Sequence, residues 1–257
     1  MESNNVRVVN LSGYQTPVVK EIHNRDWVEY GDNNDYFKKL IDNYLGSPTN
    51  SRCINGIVDM VAGRGLEATN RDENPEGYLK MKMLLPKKQI KRVAHDYKML
   101  GQAAIQVSYN RSKTKILKVS HFPMETLRAE KAGKNGCIDA YYYHPKWSEL
   151  KATDRPKRIP TYGNGSKGQR NELYVIKPYR SGFYYYAPVD YQGGLQYAEL
   201  EEEVSNYHLN NILNGLSPSM LINFNNGTPN QQERQLIEKK IAQKFSGSSN
   251  AGKFILA

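Results

Sequence analysis

Side chains recur at helical spacing in five stretches of the chain, and each stretch predicts a helix. Ser47 and Pro48 suit the N-cap and the first turn of the second helix. Pro86 opens the third helix, the fourth is long and covers 196 to about 214, and Thr228 and Pro229 give the fifth a strong start. In chain order the residues that share one helix face are Tyr36, Phe37, Leu40, Ile41, Tyr44 and Leu45; Cys53, Ile54, Ile57, Val58 and Val61; Ile90, Val93, Ala94 and Tyr97, predicted to be buried; Leu200, Val204, Tyr207 and Asn211; and Leu236, Ile237, Ile241 and Phe245.

Elsewhere the apolar period is two, which predicts strands. Residues 103–109 alternate, and 116–120 predicts a return strand after a basic turn. Further strands are predicted at 125–130, 138–144, 173–176, 220–224 and 254–256. Residues 1–30 show no clear period and predict an arm, and 70–77 predicts a polar turn. Helices and strands in this order predict an α+β fold.

The charge of the chain is strongly positive, since 36 Lys and Arg against 26 Asp and Glu give a formal net charge of +10. This balance indicates a polyanionic partner such as nucleic acid, or a basic face that matches an acidic protein. Many basic residues fall in 145–170, where Pro, Gly, Asn and Ser predict a long loop. We interpret this loop either as a DNA or partner contact or as a solvated insertion. Its candidate contact residues are Lys146, Lys151, Arg155, Lys157, Arg158, Lys167 and Arg170.

Three further features have both a structural and a functional interpretation. The tyrosine-rich segment 183–186 could stack on bases, but packing in a strand is the favoured interpretation. Cys53 lies on the apolar face of the second predicted helix, so we predict a core residue rather than a nucleophile. Glu199, Glu201, Glu202 and Glu203 suit the positive end of a helix dipole, so we do not interpret them as a metal cluster.

The sequence carries no catalytic or metal-binding constellation. The two cysteines form no CxxC pair, and the five histidines show no metal-ligand spacing. Gly247 to Lys253 has the spacing of a phosphate-binding loop, but Phe254 replaces the required hydroxyl residue, and a helix precedes where a strand is needed. We therefore predict no enzymatic activity, no cofactor and no metal. No signal peptide or membrane-spanning segment is predicted, so we expect assembly inside a cell.

Several segments, in order, resemble the portal proteins of tailed bacteriophages. They are GSPTN at 46–50 with its helix to Val61, YKMLGQAAIQV at 97–107, ILKVSHFPMETLR at 116–128, and Asp190 to Leu256. The last includes YQGGL at 191–195, NGLSP at 214–218, and the glycine-rich 246–253 before a strand. The order and spacing of these segments over about 200 residues carry the resemblance, since no single motif is specific.

The resemblance implies a portal-like α+β architecture. Residues 1–30 would be an N-terminal arm, 31–190 a mixed α/β wing, 191–215 the first stem helix, and 216–257 a small strand–helix–strand clip. A second stem helix, tunnel loop and crown would follow, so we expect the chain to continue beyond Ala257. The resemblance also implies channel-lining stem residues and a clip interface. These are Glu199, Glu202, Glu203, Asn206 and Asn210 in the stem, and Arg234, Lys239, Lys240 and Lys244 in the clip.

The implied function is a dodecameric ring at one capsid vertex of the virion. It would be a conduit for double-stranded DNA during packaging and ejection, bound without sequence specificity, and would be assembled in the host cytoplasm. Its partners would be the major capsid protein, the terminase and the head–tail adaptor. One departure is the basic balance, because channels in this family are often acidic. The alternatives are a basic nucleic-acid-binding module without ring assembly, and a nucleotide-dependent enzyme built on the loop at Gly247.

Overall fold

The computed structural model describes residues 17–69, 71–151, 153–166, 168–214, 230–232 and 235–236. The chain divides into two compact units, Met1–Ala198 and Glu199–Ala257. We call the described part of the first unit the body. The described residues form an α+β fold with five α-helices and three small sheets, as the sequence predicts. No helix in these segments combines the length and apolar character needed to cross a membrane.

The helices are α1 (Tyr36–Gly46), α2 (Pro48–Ala62), α3 (Pro75–Leu84), α4 (Lys87–Leu100) and α5 (Leu195–Asn214). The strands are β1 (Val19–Glu21), β2 (Val28–Tyr30), β3 (Ala103–Tyr109), β4 (Ile116–Phe122), β5 (Leu127–Ala129), β6 (Ala140–Tyr143), β7 (Lys157–Pro160) and β8 (Asn171–Ile176). All three sheets are antiparallel, with strand orders β1-β2, β4-β3-β8 and β5-β6-β7. A bridge between Thr161 and Leu173 connects the last two sheets.

Local sequence signals set the helix ends. Ser47 is the N-cap of α2, where its hydroxyl accepts a hydrogen bond from the Asn50 backbone N–H at 3.1 Å, as predicted. Helix α4 ends at Gly101, which has a φ of 78°. A Cβ at Gly101 would lie 2.6 Å from the Ala187 carbonyl oxygen, so only glycine fits this turn without displacement.

The core of the body joins α1, α2 and α4 to the sheets through fully buried side chains such as Leu40, Leu100 and Leu173. An aromatic stack lies within it. Tyr30 and Tyr186 stack with ring centroids 4.3 Å apart, and Phe37 meets Tyr186 edge-on at 6.2 Å. The Tyr186 hydroxyl donates to the Val28 carbonyl and accepts from the Ala129 N–H. The packing interpretation of 183–186 is therefore confirmed at Tyr186, although the segment is irregular rather than a strand.

Several predicted elements are wrong. The predicted arm contains β1 and β2, the predicted polar turn at 70–77 runs into α3, and the predicted loop at 145–170 contains β7. Helix α3 was missed because it buries no side chain and so has no apolar period. The buried face of α2 is Ile54, Val58 and Ala62, which leaves Cys53 exposed and contradicts the predicted core position.

Candidate nucleic-acid and partner interface

A groove of about 380 Å³ lies between the β4-β3-β8 sheet and the β5-β6-β7 sheet. The first sheet contributes Gln106 and Phe122, and the second contributes Tyr143 and β7. We call this the inter-sheet groove. It forms because the two sheets are joined at the Thr161–Leu173 bridge. Its walls carry basic, amide and aromatic side chains together, a combination that suits a polar, anionic partner.

The groove brings together three of the seven predicted contact residues, namely Lys157, Arg158 and Arg170. Arg158 is already engaged, since its Nε lies 2.6 Å and its Nη2 2.8 Å from the two carboxylate oxygens of Glu130. This donation of hydrogen bonds to Glu130 raises the pKa of Arg158. Lys157 and Arg170 are exposed and form no ion pair with any carboxylate of the described residues. They are therefore the cations that a ligand in this groove would meet.

The other predicted contact residues lie elsewhere. Lys146 lines a separate cleft beside α1, with its Nζ 3.1 Å from the Glu149 carboxylate. Lys151 and Arg155 are exposed and do not line the groove. Lys167 lies outside the described residues. The basic segment at 145–170 is thus not one surface, because β7 carries part of it into the sheet.

Sequence reasoning missed the polar floor of the groove. Gln106 Nε2 donates to the Ser108 hydroxyl at 3.2 Å, and that hydroxyl donates to Asn171 Oδ1 at 2.9 Å. At one end, the rings of Phe122 and Tyr143 meet edge-on with centroids 5.5 Å apart. The signal was available, since Gln106 and Ser108 alternate with apolar residues along β3 and so share one face of the strand.

A buried carboxylate organises the turn that carries Arg170. Glu172 has a fully buried side chain that accepts from the backbone N–H groups of Gly163 at 3.0 Å and Gly165 at 3.2 Å. Lys113 Nζ lies 2.5 Å from the same carboxylate. Burial alone would raise the pKa of Glu172, but the hydrogen bonds from Gly163 and Lys113 outweigh it and lower that pKa. Removal of this charge would therefore release the turn beside the groove.

Helix α5 carries different side chains along different faces. Leu200, Val204 and Tyr207, spaced four and three residues apart, share one face and are 44%, 45% and 60% exposed. We call these three residues the apolar stripe. The predicted channel-lining residues fall on another face, with Glu199, Glu202 and Glu203 partly exposed and Asn206 and Asn210 exposed. Tyr197, Leu209 and Ile212, which are 75%, 54% and 50% exposed, lie off the stripe, so α5 presents apolar side chains on more than one side.

The predicted clip interface cannot be placed. Arg234, Lys239, Lys240 and Lys244 lie outside the described residues, as does the glycine-rich 247–253 segment. Gln231, Gln232, Gln235 and Leu236 are helical, which confirms the predicted helix in this part of the chain. Within the described residues, no group of three or more His, Cys, Asp or Glu side chains is placed to hold a metal ion.

No family model matches the chain, and no curated protein matches it. Solved structures do match. A neck chain of an empty gene transfer agent particle, computed with C6 symmetry, superposes with a TM-score of 0.55 at 15% identity over 96% of this chain. A neck chain of the native particle, computed with C12 symmetry, gives 0.53 at 13% identity over 86%, and a chain of the native virion gives 0.53 at 14% over 96%.

These similarities show a shared fold between this chain and chains of symmetric, phage-like particles. The chain spans about three-fifths of each neighbour, with coverage of 62%, 58% and 61% of their lengths. At this level of identity the shared fold is the extent of what the comparison shows.

Proposed function

We propose that this chain is part of the portal protein of a phage-like particle and forms a dodecameric ring at one capsid vertex. The observation that carries this proposal is the fold, which extends over 96% of the chain in a neck chain solved with C6 symmetry and over 86% in one solved with C12 symmetry. The ring would conduct double-stranded DNA during packaging and ejection and would do no covalent chemistry. It would assemble in the host cytoplasm and reside in the virion.

The apolar stripe of α5 supports ring assembly. Its three side chains are each at least 44% exposed in the single chain, although leucine, valine and tyrosine gain free energy when removed from water. Closed rings use heterologous interfaces, in which one patch of each subunit contacts a different patch of the next. We propose that the stripe is covered by the neighbouring subunit, and that all subunits of the ring are equivalent.

The opposite character of the second face of α5 supports a conduit. We propose that Glu199, Glu202, Glu203, Asn206 and Asn210 line the channel. Carboxylates repel phosphates and release no counterions from DNA, so a duplex would move past them without being held at any sequence. The basic residues of the body would then face other partners of the vertex, such as the major capsid protein. Arg234, Lys239, Lys240 and Lys244 remain our proposed contacts for the terminase and the head–tail adaptor.

Negative-stain electron microscopy of the purified chain, in moderate salt and without DNA, tests the ring. The proposal predicts annular particles with a central hole and twelve-fold class averages. Fields that contain only single subunits at micromolar concentration would contradict ring assembly by this chain.

A second candidate function is favoured by the inter-sheet groove, where Lys157 and Arg170, which pair with no carboxylate in the described segments, lie beside aromatic and amide side chains. A monomeric nucleic-acid-binding module would use these cations on phosphates. Affinity for a short duplex is then expected to fall steeply with salt, and Lys157→Ala with Arg170→Ala should lower the log–log salt slope by about two. The control is Lys115→Ala with Lys118→Ala, which removes two exposed cations outside the groove. Equal losses in both variants would indicate diffuse attraction and would contradict a nucleic-acid site in the groove.

A further inference from the structure

Helix α2 carries apolar side chains on a second side, away from the body's core. The side chains that α2 buries are Ile54, Val58 and Ala62. Cys53, Ile57 and Met60 follow one another at intervals of four and three residues, so they share a different side of the helix. Cys53 is exposed, Ile57 is partly exposed, and Met60 is 75% exposed. We call these three residues the α2 stripe.

The surface beside the α2 stripe leaves room for a second helix. Gly56 lies one turn before Met60, and a Cβ added to Gly56 would meet no atom within 4 Å. A glycine on an exposed helix side allows another backbone to approach closely. Val61, at the other edge of the stripe, is also 66% exposed. Both features suit a helix packed along α2.

Cations border the α2 stripe. Lys91 forms an ion pair with Asp59, and the hydrogen bond and charge of Lys91, followed by the charges of Lys87 and Arg52, lower the pKa of Asp59. Arg52 directly precedes the stripe, and Arg64 lies one turn beyond Met60. Arg52, Arg64 and Lys87 are exposed and form no ion pair within the part of the chain that the structure describes. One carboxylate therefore faces several cations, and the border of the stripe is positive.

An apolar stripe with a positive border fits an acidic protein helix better than a nucleic acid. Phosphates would use the cations, but an exposed methionine gains nothing from a phosphate backbone. A helix that carries carboxylates next to apolar side chains would use both parts of the surface.

Helix α5 has this character. Its 20 residues include four glutamates and no lysine or arginine. Its apolar stripe, Leu200, Val204 and Tyr207, has the same spacing of four and three residues as the α2 stripe, so each stripe covers about 10 Å of helix. Glu203 lies one turn before Tyr207 and so borders the apolar stripe of α5. The two stripes thus match in length and spacing and are opposite in the charge of their borders.

We propose that the α2 stripe of one subunit is the surface on which the apolar stripe of α5 from the next copy of this chain packs. The contact removes apolar side chains of both helices from water and brings the carboxylates of α5 to the cations around α2. Because the two patches differ, the contact is head-to-tail, which is the type that closes into rings. The inference rests on the proposed ring and identifies the second surface of its interface.

Disulfide cross-linking tests the contact, since Cys53 already lies in the α2 stripe. Leu200→Cys and Tyr207→Cys are each made in a Cys137→Ser chain and oxidised mildly, because a disulfide requires Cα atoms within about 7 Å. At least one of them should give covalent species beyond the dimer on a non-reducing gel, and Cys53→Ser should remove these species. Linkage through Leu200→Cys indicates parallel helices, and linkage through Tyr207→Cys indicates antiparallel helices. Asn210→Cys, on the proposed channel face, is the control and should give no linkage that depends on Cys53.

Native mass spectrometry of two methionine variants tests the same surface without cysteines. Met60→Glu places a carboxylate in the α2 stripe, so we expect the mass of one subunit. Met83→Glu makes the same change on α3, at a residue that is 82% exposed, and should keep the mass of the ring. Both residues are exposed, so both variants should unfold at the same urea concentration as the wild type.

The outcomes separate this inference from the ring itself. A wild type without rings would contradict both. Wild-type rings in which no link between chains depends on Cys53, or rings that persist in Met60→Glu, would overturn the α2 contact alone. Loss of duplex binding in Arg52→Ala with Lys87→Ala, in rings that tolerate Met60→Glu, would assign this surface to nucleic acid and would also overturn the contact.

Discussion

The body and helix α5 use the same apolar residue types in opposite ways. In the body, Leu40, Leu100 and Leu173 are fully buried, each in contact with a neighbouring helix or strand. In α5, Leu200 and Val204 are 44% and 45% exposed in a helix of 20 residues. Periodicity places apolar residues on one helix face, but burial also requires a second surface. The body finds this surface within its own unit, and we propose that α5 finds it on a neighbouring subunit.

The largest expected difference in the free energy of unfolding is between alanine substitutions of Leu100 and Leu200. Leu100→Ala should lower the free energy of unfolding by about 2–5 kcal/mol, because it leaves a cavity in the core. Leu200→Ala should change it by less than about 0.5 kcal/mol in the dissociated subunit, as at most exposed sites. Urea denaturation at low protein concentration measures both. Equal losses of unfolding free energy in the two variants would contradict the difference between the body and α5, since they would place Leu200 in a core of its own subunit.

A second pair of substitutions compares a buried arginine, Arg128, with an exposed one, Arg158. Arg128→Ala removes a donor from three buried or partly buried carbonyls, and each buried group left without a partner costs about 1–3 kcal/mol, whereas Asn34 Oδ1 keeps its bond from the Tyr30 N–H. Arg158→Ala breaks an ion pair whose arginine side chain is 45% exposed, which typically costs at most about 1 kcal/mol. Thermal unfolding of both variants measures the loss of stability. A larger loss in Arg158→Ala than in Arg128→Ala would show that burial does not determine how much stability an arginine substitution removes.

The smallest expected effects come from substitutions of two glycines, which should change the free energy of unfolding in opposite directions. Gly101→Ala should destabilise the body by more than about 1 kcal/mol, because its φ of 78° and the Ala187 carbonyl exclude a Cβ. Gly56→Ala should stabilise it by about 0.5–1 kcal/mol, since Gly56 lies inside α2 with nothing within 4 Å of an added Cβ. Both follow from the same denaturation curves. A gain in stability in Gly101→Ala would contradict the described turn.

Local signals made much of this fold predictable. The corner at Ser47 and Pro48, the end of α4 at Gly101 and the alternation in β3 are set by residues within a few positions of each other. Helix α3 was not predictable from periodicity, because its side chains remain outside the core. Strand β7 was missed because it begins with the exposed Lys157 and Arg158, which look like loop residues.

The sites depended on contacts that local patterns do not encode. Arg128 and Asn34 are separated by 94 residues, so their pairing could not be read from spacing. The inter-sheet groove likewise forms between two sheets that are distant in sequence, and only three of the seven predicted basic contact residues line it. The proposed stem and clip residues follow from the resemblance and remain predictions.

Native mass spectrometry of α5 variants tests most directly whether another copy covers the apolar stripe. Val204→Glu with Tyr207→Glu adds two charges to the stripe, and Asn206→Glu with Asn210→Glu adds the same two charges to the proposed channel face. The account predicts that the wild type and the channel-face variant have the mass of a closed ring, while the stripe variant has the mass of one subunit. Rings that survive the stripe substitutions, or a wild type that is only monomeric, would contradict it.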